Sequence, residues 1–289
     1  MKIKPRCIPC LLNRVLFESK LVTDDERKIS YVMKNVLQKM ASIYNEEKSS
    51  AEIATQIHGL AYKLLESKDP YKELKEKSNE IALHLLPKAR KLIEDSNNKL
   101  ETAILCSIAG NSIDFGIEGS ASTPEELAIK FEEYIKEGLY INDIEKIKKY
   151  LKGEILYFTD NCGEIIFDKL VCEQLKKYDV HLSLICKRYP ILTDATYEDV
   201  KRLGFDEIVD EIMTTGRYAV GIDFNGISEK LKEKLQHASL IICKGMANYE
   251  AFSEPKYRPI AYLMRVKCKS IAEDVGVAFP KNIAKLYEK

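Results

Sequence analysis

The chain has 289 residues, of which 45% are hydrophobic and 31% charged, so it is long enough to bury a core and does not have the composition of a disordered protein. Lys plus Arg and Asp plus Glu both total 45, which excludes the net positive field that draws proteins to nucleic acid or acidic membranes. No run approaches the roughly 20 apolar residues that cross a bilayer, and no secretory cleavage site follows the first apolar stretch, so we expect a cytoplasmic protein.

A Cys-x-x-Cys pair, Cys7 and Cys10, lies near the start of the sequence. The spacing is that of a metal-binding knuckle, yet a structural zinc site needs four ligands and no second Cys-x-x-Cys or His pair follows. Cys268 could supply a third thiolate if the two ends of the chain meet. A redox pair is another functional interpretation, and two reduced cysteines at the start of a helix are the structural alternative. We therefore predict a second metal site, a redox site or no chemical role here, and we place catalysis elsewhere.

The first third of the chain has a helical pattern. From residue 24 to about residue 99, apolar residues recur at spacings of three and four among Lys and Glu, without an alternating strand pattern. Asp69 and Pro70 can cap and open one helix, in which Pro87 predicts a kink or a break. We predict an all-helical domain over residues 1–99. Residues 100–150 also have a helical pattern, interrupted by GNSIDFGIEGS at residues 110–120. This segment would bridge the helical domain and the second domain of the chain.

After Gly153 the pattern changes to short apolar runs that alternate with helical stretches. The runs of strand length are EILYFT, VHLSLIC, EIVDEIMTT, SLIIC and AYLMRV. Strands that alternate with helices predict a mostly parallel sheet covered by helices on both faces. The predicted fold class is therefore α/β, with an α/β/α domain over residues 100–289 packed against the helical domain.

Three of these predicted strands end in polar residues that can take part in chemistry. Asp160 and Asn161 follow the first run, a loop with Asp194 follows the second, and Lys244 follows SLIIC. Because the carboxyl ends of parallel strands lie at one edge of a sheet, where ligands bind, we expect these side chains to converge. Their oxygen atoms suit Mg²⁺ or Mn²⁺ better than zinc, which prefers thiolate and imidazole. The alternative for Asp160 and Asn161 is an Asx turn that caps the helix beginning near Glu164.

A divalent ion between two carboxylates points to the hydrolysis of a phosphate ester, in which the ion acts as Lewis acid and template. Lys244 would hold the phosphate as a point charge, and Gly245 would let the backbone approach closely. Asp194 or Asp160 could orient the attacking water, and direct attack by water and a phosphoaspartate intermediate both stay open. Asp160, Asp194 and Lys244 are thus the predicted catalytic residues.

These motifs resemble those of the damage-control phosphatases of the ARMT1-like group, also known as the domain of unknown function 89 proteins. The resemblance lies in DPYKELKEKSN, NSIDFG, DNCGEIIFD, TDATYED and KGMANYE, and with CIPC it is similar to the archaeal and bacterial branch. It implies an all-helical amino-terminal part joined to a three-layer α/β/α part. It also implies a metal-dependent phosphatase that favours Mn²⁺, Co²⁺ or Ni²⁺ and acts on small phosphorylated metabolites, including damaged ones.

The resemblance further implies roles for individual residues. The metal ligands would be Asp160, Asn161 and Asp194. Residues from several motifs would line the substrate side of the site, namely Asn111, Asp114, Glu164, Lys244, Gly245 and Asn248. Lys72 and Asn79 are further candidates from the helical region. Independently of the resemblance, Arg217 and Tyr218 are candidates for substrate contact because they lie in a loop.

Two other functions stay open. A carboxyl methyltransferase that uses S-adenosylmethionine would also have an α/β sheet with acidic strand ends, although no Gly-rich turn follows the first predicted strand of this part. A zinc-stabilised or thiol-based binding protein organised around Cys7 and Cys10 is the second. The leading hypothesis is a phosphatase that uses Mn²⁺, Co²⁺, Ni²⁺ or Mg²⁺, acts on a small phosphorylated metabolite and has no nucleic-acid or membrane partner.

Overall fold

The computed structural model describes residues 1–111, 124–254 and 257–288, with the side chains of 124–128 outside that description. The helices are α1 (Cys7–Val22), α2 (Glu26–Ile43), α3 (Ser50–Leu65), α4 (Lys72–Glu94), α5 (Lys99–Gly110), α6 (Pro124–Glu137), α7 (Ile144–Ile147), α8 (Glu164–Leu175), α9 (Tyr197–Arg202), α10 (Glu229–His237), α11 (Gly245–Phe252) and α12 (Lys269–Val275). The strands are β1 (Ile141–Asn142), β2 (Gly153–Phe158), β3 (Val180–Cys186), β4 (Glu211–Thr214), β5 (Leu240–Lys244), β6 (Ile260–Val266) and β7 (Lys281–Tyr287). Two 3₁₀ turns, Lys148–Tyr150 and Phe205–Glu207, complete these elements.

The strands form one sheet in the order β1-β7-β6-β5-β2-β3-β4. Neighbouring strands are parallel, except that β6 and β7 are antiparallel. The strand β2 pairs with β3 on one side and with β5 on the other, so the order of strands reverses at β2. Ligands of open α/β sheets bind in the crevice at the carboxyl ends of strands beside such a reversal. The predicted α/β class with a mostly parallel sheet is confirmed.

Both faces of the sheet are buried, which explains the continuous apolar runs of its strands. In β2, Ile155 and Tyr157 point into a core shared with α4, α5 and α8, while Leu156 and Phe158 point into a core with α10, α11 and α12. Each of these four side chains is at most 1% exposed. Successive side chains of a strand point to opposite faces, so a strand covered on both faces must be apolar at every position.

The first three helices have a core of their own. In α2, Ile29, Val32, Val36 and Met40 are buried at spacings of three and four, so they form one apolar stripe that packs in this bundle. Asp25 caps the start of α2 by accepting a hydrogen bond from the Arg27 amide. The next helix, α4, packs instead against α8 of the α/β part. The proposed boundary between residues 99 and 100 stays a prediction.

The helix after the Asp69-Pro70 pair differs from the prediction at its start and at Pro87. It begins at Lys72 with Tyr71 at its amino-terminal cap, and Asp69 forms an ion pair with Lys75 at 2.5 Å instead of capping. The helix also continues past Pro87, so a break does not occur there, and the alternative of a kink stays a prediction. Pro87 has no amide to donate to the carbonyl of Leu83, and Leu83 lies on the exposed side of the helix with 47% exposure.

Three parts of the sheet were missed or misplaced by the sequence pattern. The strand β7 near the carboxyl terminus and the two-residue β1 were not predicted. The run EIVDEIMTT forms a strand only over its second half, because Phe205–Glu207 is a 3₁₀ turn.

None of the described helices is long and apolar enough to span a membrane. The cytoplasmic location stays a prediction.

Candidate active site

The turn after β2 and the loop after β3 are joined through their backbones. The amide of Ala195 donates to the carbonyl of Asp160 at 2.8 Å, and Asn161 and Asp194 form an antiparallel bridge. The side chains of Asp160 and Asp194 are therefore brought to one place although 34 residues separate them in the chain. Asp160 is 6% exposed and Asp194 is 4% exposed, so both carboxylates are held largely out of water. The convergence expected from the strand ends is what the structure shows.

The Asn161 amide is held at both of its ends. Its Nδ2 donates to Asp160 Oδ2 at 2.8 Å, and its Oδ1 accepts from the Thr193 hydroxyl at 2.6 Å. Asn111, at the end of α5, donates a second hydrogen bond to Asp160 Oδ2 at 3.2 Å. A carbonyl or carboxylate oxygen has two lone pairs, so Asn161 Oδ1 can accept a hydrogen bond and still bind a cation. The orientation of these oxygens is thus set before any ligand arrives.

Glu164, the first residue of α8, shapes the turn. Its Oε1 accepts from the Asn161 backbone amide at 2.9 Å, and its Oε2 accepts from Asn111 Nδ2 at 2.8 Å and from Lys244 Nζ at 3.1 Å. A carboxylate in the first turn of a helix is also favoured by the helix dipole. The amino-terminal cap of α8 is Gly163 and no side chain makes a capping hydrogen bond there, so the capping role considered for Asp160 and Asn161 does not occur. The predicted contact of Glu164 with substrate stays a prediction.

Lys244 is completely buried at the end of β5. Its Nζ lies 3.1 Å from Glu164 Oε2 and 3.0 Å from Asp168 Oδ1. Burial lowers the pKa of this ammonium, but the charges of Asp168 and Glu164 outweigh burial and raise it, so Lys244 stays protonated. The structure thus places the ammonium between two carboxylates, whereas the sequence pattern predicted a cation that faces a phosphate.

Asp168 was not singled out from the sequence. Its Oδ1 accepts hydrogen bonds from the Ser107 hydroxyl at 2.5 Å and from the Tyr157 hydroxyl at 2.8 Å, in addition to the ion pair with Lys244. The signal was present, because Asp168 follows Glu164 by four residues and so lies on the same face of the helix. A carboxylate in the apolar run EIIFD is buried by its neighbours and needs such partners.

Lys187 was also missed. It follows β3 directly, is 4% exposed, and its Nζ lies 3.3 Å from Asp194 Oδ2. The same ammonium donates to the carbonyls of Ala219, at 3.2 Å, and Gly221. Lys187 therefore positions the Asp194 carboxylate and ties it to the loop after β4. Its place directly after a predicted strand could have revealed it.

The buried cluster carries more negative than positive charge. Four carboxylates and two ammonium groups, each at most 6% exposed, make up the cluster: Asp160, Glu164, Asp168, Asp194, Lys187 and Lys244. Burial, together with the charges of Glu164 and Asp194, raises the pKa of Asp160 well above its ordinary value. Burial also raises the pKa of Asp194, while Lys187 opposes the rise. With all six groups charged, two negative charges are left over, which is the charge that one divalent cation would balance.

Gly245 makes room for Asp160. Its φ of +70° favours glycine, and a Cβ placed on it would lie only 1.8 Å from Asp160 Oδ2. The sequence pattern assigned this glycine to a close approach between backbone and phosphate. In the structure the group that approaches closely is the Asp160 carboxylate.

Replacing Gly245 by Ala is therefore expected to lower the free energy of unfolding by more than the cost of the positive φ alone. The positive φ costs about 1 kcal/mol, and displacing a buried carboxylate from a packed site adds about 1–3 kcal/mol. Gly276→Ala is the matched control, because Gly276 has φ +77° and nothing lies within 4 Å of a Cβ built there. Urea unfolding of both variants gives the comparison. Equal losses in the two variants would show that Asp160 moves aside freely.

Two asparagines hold backbone segments around the cluster. Asn248 Nδ2 donates to the carbonyls of Thr159 at 2.9 Å and Lys244 at 2.8 Å, which joins the ends of β2 and β5. Asn79 Oδ1, on α4, accepts from the Gly163 amide at 2.7 Å, so the helical region supports the same turn.

Lys72 is exposed and lines a neighbouring cavity. Asp114 lies outside the described residues, so its assignment to the site stays a prediction.

The cysteine pair lies at the start of α1. Cys7 is half-buried and Cys10 exposed, and both are free thiols. Burial is the main cause that raises the pKa of the Cys7 thiol, and the nearby Cys268 adds to the rise. The two ends of the chain therefore do come together. Over residues 1–111, 124–254 and 257–288, however, no group of three or more His, Cys, Asp and Glu side chains is arranged to hold a metal ion.

The fold and this cluster together define an α/β protein with an acidic site at the switch point of its sheet. The family model described as the damage-control phosphatase ARMT1-like domain matches residues 3–282. The chain is 41% identical over 288 residues to a protein of Archaeoglobus fulgidus named damage-control phosphatase, with 100% of both chains covered. It is 32% identical to a damage-control phosphatase of Pyrococcus horikoshii, with 96% of this chain and 95% of that protein covered.

A solved structure gives the same result at the level of the fold. The crystal structure of a protein of the domain of unknown function 89 family from Pyrococcus horikoshii matches with a TM-score of 0.89 and 30% identity, over 100% of both chains. The chain belongs to the damage-control phosphatase family, as its motifs indicated. The family resemblance stated from the sequence is thus confirmed, apart from the branch with the Cys-x-x-Cys pair, which stays a prediction.

Proposed function

We propose that the protein is a metal-dependent phosphatase that hydrolyses phosphate monoesters of small metabolites, damaged ones included, with Asp160, Asn161 and Asp194 as the metal ligands. Family membership supports phosphate-ester hydrolysis, because the relatives from Archaeoglobus fulgidus and Pyrococcus horikoshii are both named damage-control phosphatases. The proposed ion is Mn²⁺, Co²⁺, Ni²⁺ or Mg²⁺, since the donor atoms are oxygens of carboxylates and an amide.

The observation that carries the proposal is the excess of two negative charges in the buried cluster at the carboxyl ends of β2, β3 and β5. Carboxylates kept out of water without compensation are unstable as anions, which is why the pKa of Asp160 is raised. A divalent cation would remove the excess charge and let all of these carboxylates ionise. The oriented oxygens of Asp160, Asn161 and Asp194 fit such an ion in both charge and donor type.

When bound, the ion would supply Lewis-acid stabilisation of the charge on the transferring phosphoryl group. Asp194, held by Lys187, or Asp160 would accept the hydrogen bond of the attacking water and take its proton. Lys244 adds positive potential at the end of β5, where the phosphate would bind, while it compensates Glu164 and Asp168. Asn111 keeps Asp160 Oδ2 in place by its hydrogen bond.

Removal and restoration of the metal test the proposal. Protein treated with a chelator is expected to release no phosphate from a panel of phosphorylated metabolites, and to regain release on addition of Mn²⁺, Co²⁺, Ni²⁺ or Mg²⁺. Calorimetric titration of the chelated protein with Mn²⁺ should give a single site, with affinity that rises with pH because protons compete for the ligands. Unchanged turnover in the chelated protein, with metal content confirmed as zero, would disprove metal dependence.

The alternative functions predict different results in the same preparation. The double variant Cys7→Ser with Cys10→Ser is expected to keep the metal response, whereas a zinc or thiol protein would lose its bound ion. A methyltransferase would transfer a labelled methyl group from S-adenosylmethionine without releasing phosphate. The phosphatase proposal expects no such transfer.

A further inference from the structure

An open cavity of about 800 Å³ lies between α3 and the loops that follow β3 and β4. Three tyrosines, Tyr62, Tyr189 and Tyr218, form much of its wall, and Pro190 and Gly59 contribute apolar surface. Its rim carries two positive charges, Lys63 and Lys68, and one negative charge, Glu66. Cavities lined by aromatic side chains with a few polar groups are typical sites for small organic ligands.

The wall of this cavity is hydrogen-bonded to the loop that carries Asp194. The Tyr62 hydroxyl accepts a hydrogen bond from the amide of Leu192 at 2.9 Å, two residues before Asp194. Tyr218 directly precedes Ala219, whose carbonyl accepts from the Lys187 ammonium that holds Asp194. Burial, and then the charges of Glu18 and Asp194, raise the pKa of Tyr218, so the Asp194 carboxylate lies within electrostatic reach of this phenol.

Two details of the wall concern how the ring of Tyr218 is held in place. The Tyr218 hydroxyl is buried and has no hydrogen-bond partner among the described residues, although leaving a buried hydroxyl unpaired costs about 1–3 kcal/mol. Gly59 lies inside α3, where Gly is the least favourable residue after Pro. A Cβ there would lie 3.3 Å from the Tyr218 ring, so the glycine lets the ring lie against the helix. Both features maintain the Tyr218 position at a local cost.

We propose that this tyrosine-lined cavity binds the alcohol part of the substrate, and that it selects phosphate esters whose alcohol carries an aromatic ring or another flat apolar group. The inference rests on the proposed phosphatase function for the position of the phosphate beside Asp160 and Asp194. The rings of Tyr62, Tyr189 and Tyr218 would pack against the apolar group. Small esters without such a group would leave the cavity filled with water.

The test compares ligands that differ only in the ring. In the metal-loaded protein, 2-phenylethyl phosphate is expected to have a kcat/KM about tenfold above that of ethyl phosphate, whose leaving alcohol has similar acidity. Calorimetry with the phosphonates 2-phenylethylphosphonate and ethylphosphonate measures the same preference without turnover. If no ester is hydrolysed but the phosphonate preference is present, the phosphatase function is at fault and the cavity assignment stands.

Variants assign the preference to the cavity. Tyr189 is 49% exposed, so Tyr189→Ala leaves the core intact, and it is expected to weaken binding of 2-phenylethylphosphonate about three- to tenfold while leaving ethylphosphonate unchanged. Tyr31→Ala is the matched control, because Tyr31 is 56% exposed on α2 and does not line the cavity. Equal binding of the two phosphonates by the unmodified protein, or an unchanged preference in Tyr189→Ala, would overturn the proposal.

Discussion

Asp160→Asn and Asp194→Asn are each expected to lower phosphate release by about 100- to 1,000-fold or more, the range seen when one stabilising group of an active site is removed. Each change replaces an anionic ligand by a neutral amide of the same shape, so the site loses the charge that would attract a divalent ion. Turnover with added Mn²⁺ measures the loss. Asp206→Asn is the control, since Asp206 is a surface carboxylate paired with Lys201 and should keep full activity.

Asp160→Asn should not lose stability, and this separates loss of function from unfolding, whereas Asp194→Asn also removes the charge that pairs with the buried Lys187. In metal-free protein Asp160 is buried beside Glu164 and Asp194, so removing its charge relieves repulsion and lowers the penalty of burial. The thermal midpoint of metal-free Asp160→Asn is therefore expected to equal or exceed that of the unmodified protein. Added Mn²⁺ should raise the midpoint of the unmodified protein but not that of the variant, because only a state that binds the ion gains from it. Full activity in both variants would overturn the metal-site assignment.

Lys244→Met is expected to lower the free energy of unfolding by about 3–5 kcal/mol, because it leaves two buried carboxylates without their cation. Glu164 and Asp168 both contact Nζ, and neither is more than 1% exposed. Urea unfolding of metal-free protein at neutral pH gives the value. Lys230→Met is the control for loss of a lysine, because the side chain of Lys230 is 62% exposed, and its ion pair with Glu211 should contribute at most about 1 kcal/mol.

A double variant tests whether the lower free energy of unfolding of Lys244→Met comes from unpaired buried charge. Adding Asp168→Asn to Lys244→Met removes one of the two stranded carboxylates, so part of the stability is expected to return, by about 0.5–3 kcal/mol relative to additivity. A loss in Lys244→Met no larger than that in Lys230→Met would contradict the ion-pair account. A purely additive double variant would show that Lys244 and Asp168 do not interact.

Much of the chemistry near β2 was predictable because it is local. Asp160, Asn161 and Glu164 follow an apolar run of strand length, and any parallel sheet brings such a turn to its ligand-binding edge. Asp194 could be added by the same reasoning, since it lies in the loop after the next strand. These residues could be placed at strand ends because apolar runs alternate with polar segments, and this alternation can be recognised in a single sequence.

Contacts between distant parts of the chain were not predictable in the same way. Lys244 looked like a phosphate ligand because it ends a strand, but its partner is decided by α8, which brings Asp168 across the sheet to within 3.0 Å of it. Gly245 accommodates Asp160, a contact that the sequence did not reveal, and its approach to phosphate stays a prediction. Asn79 was a candidate through the family resemblance, but its contact with the Gly163 amide depends on the packing of α4. Lys187 directly follows a predicted strand, but its contact with the Ala219 carbonyl depends on the packing of the loop after β4.

Residue order was thus enough to establish the α/β class, the acidic turn after β2 and the family, because hydrophobic periodicity and short motifs act over a few neighbouring residues. Packing in three dimensions determined which charge faces which, how many charges are left unbalanced, and where the tyrosine-lined cavity opens. Those properties depend on distances of a few ångströms between segments far apart in the chain. Coulomb energy and desolvation in a buried cluster change steeply over such distances.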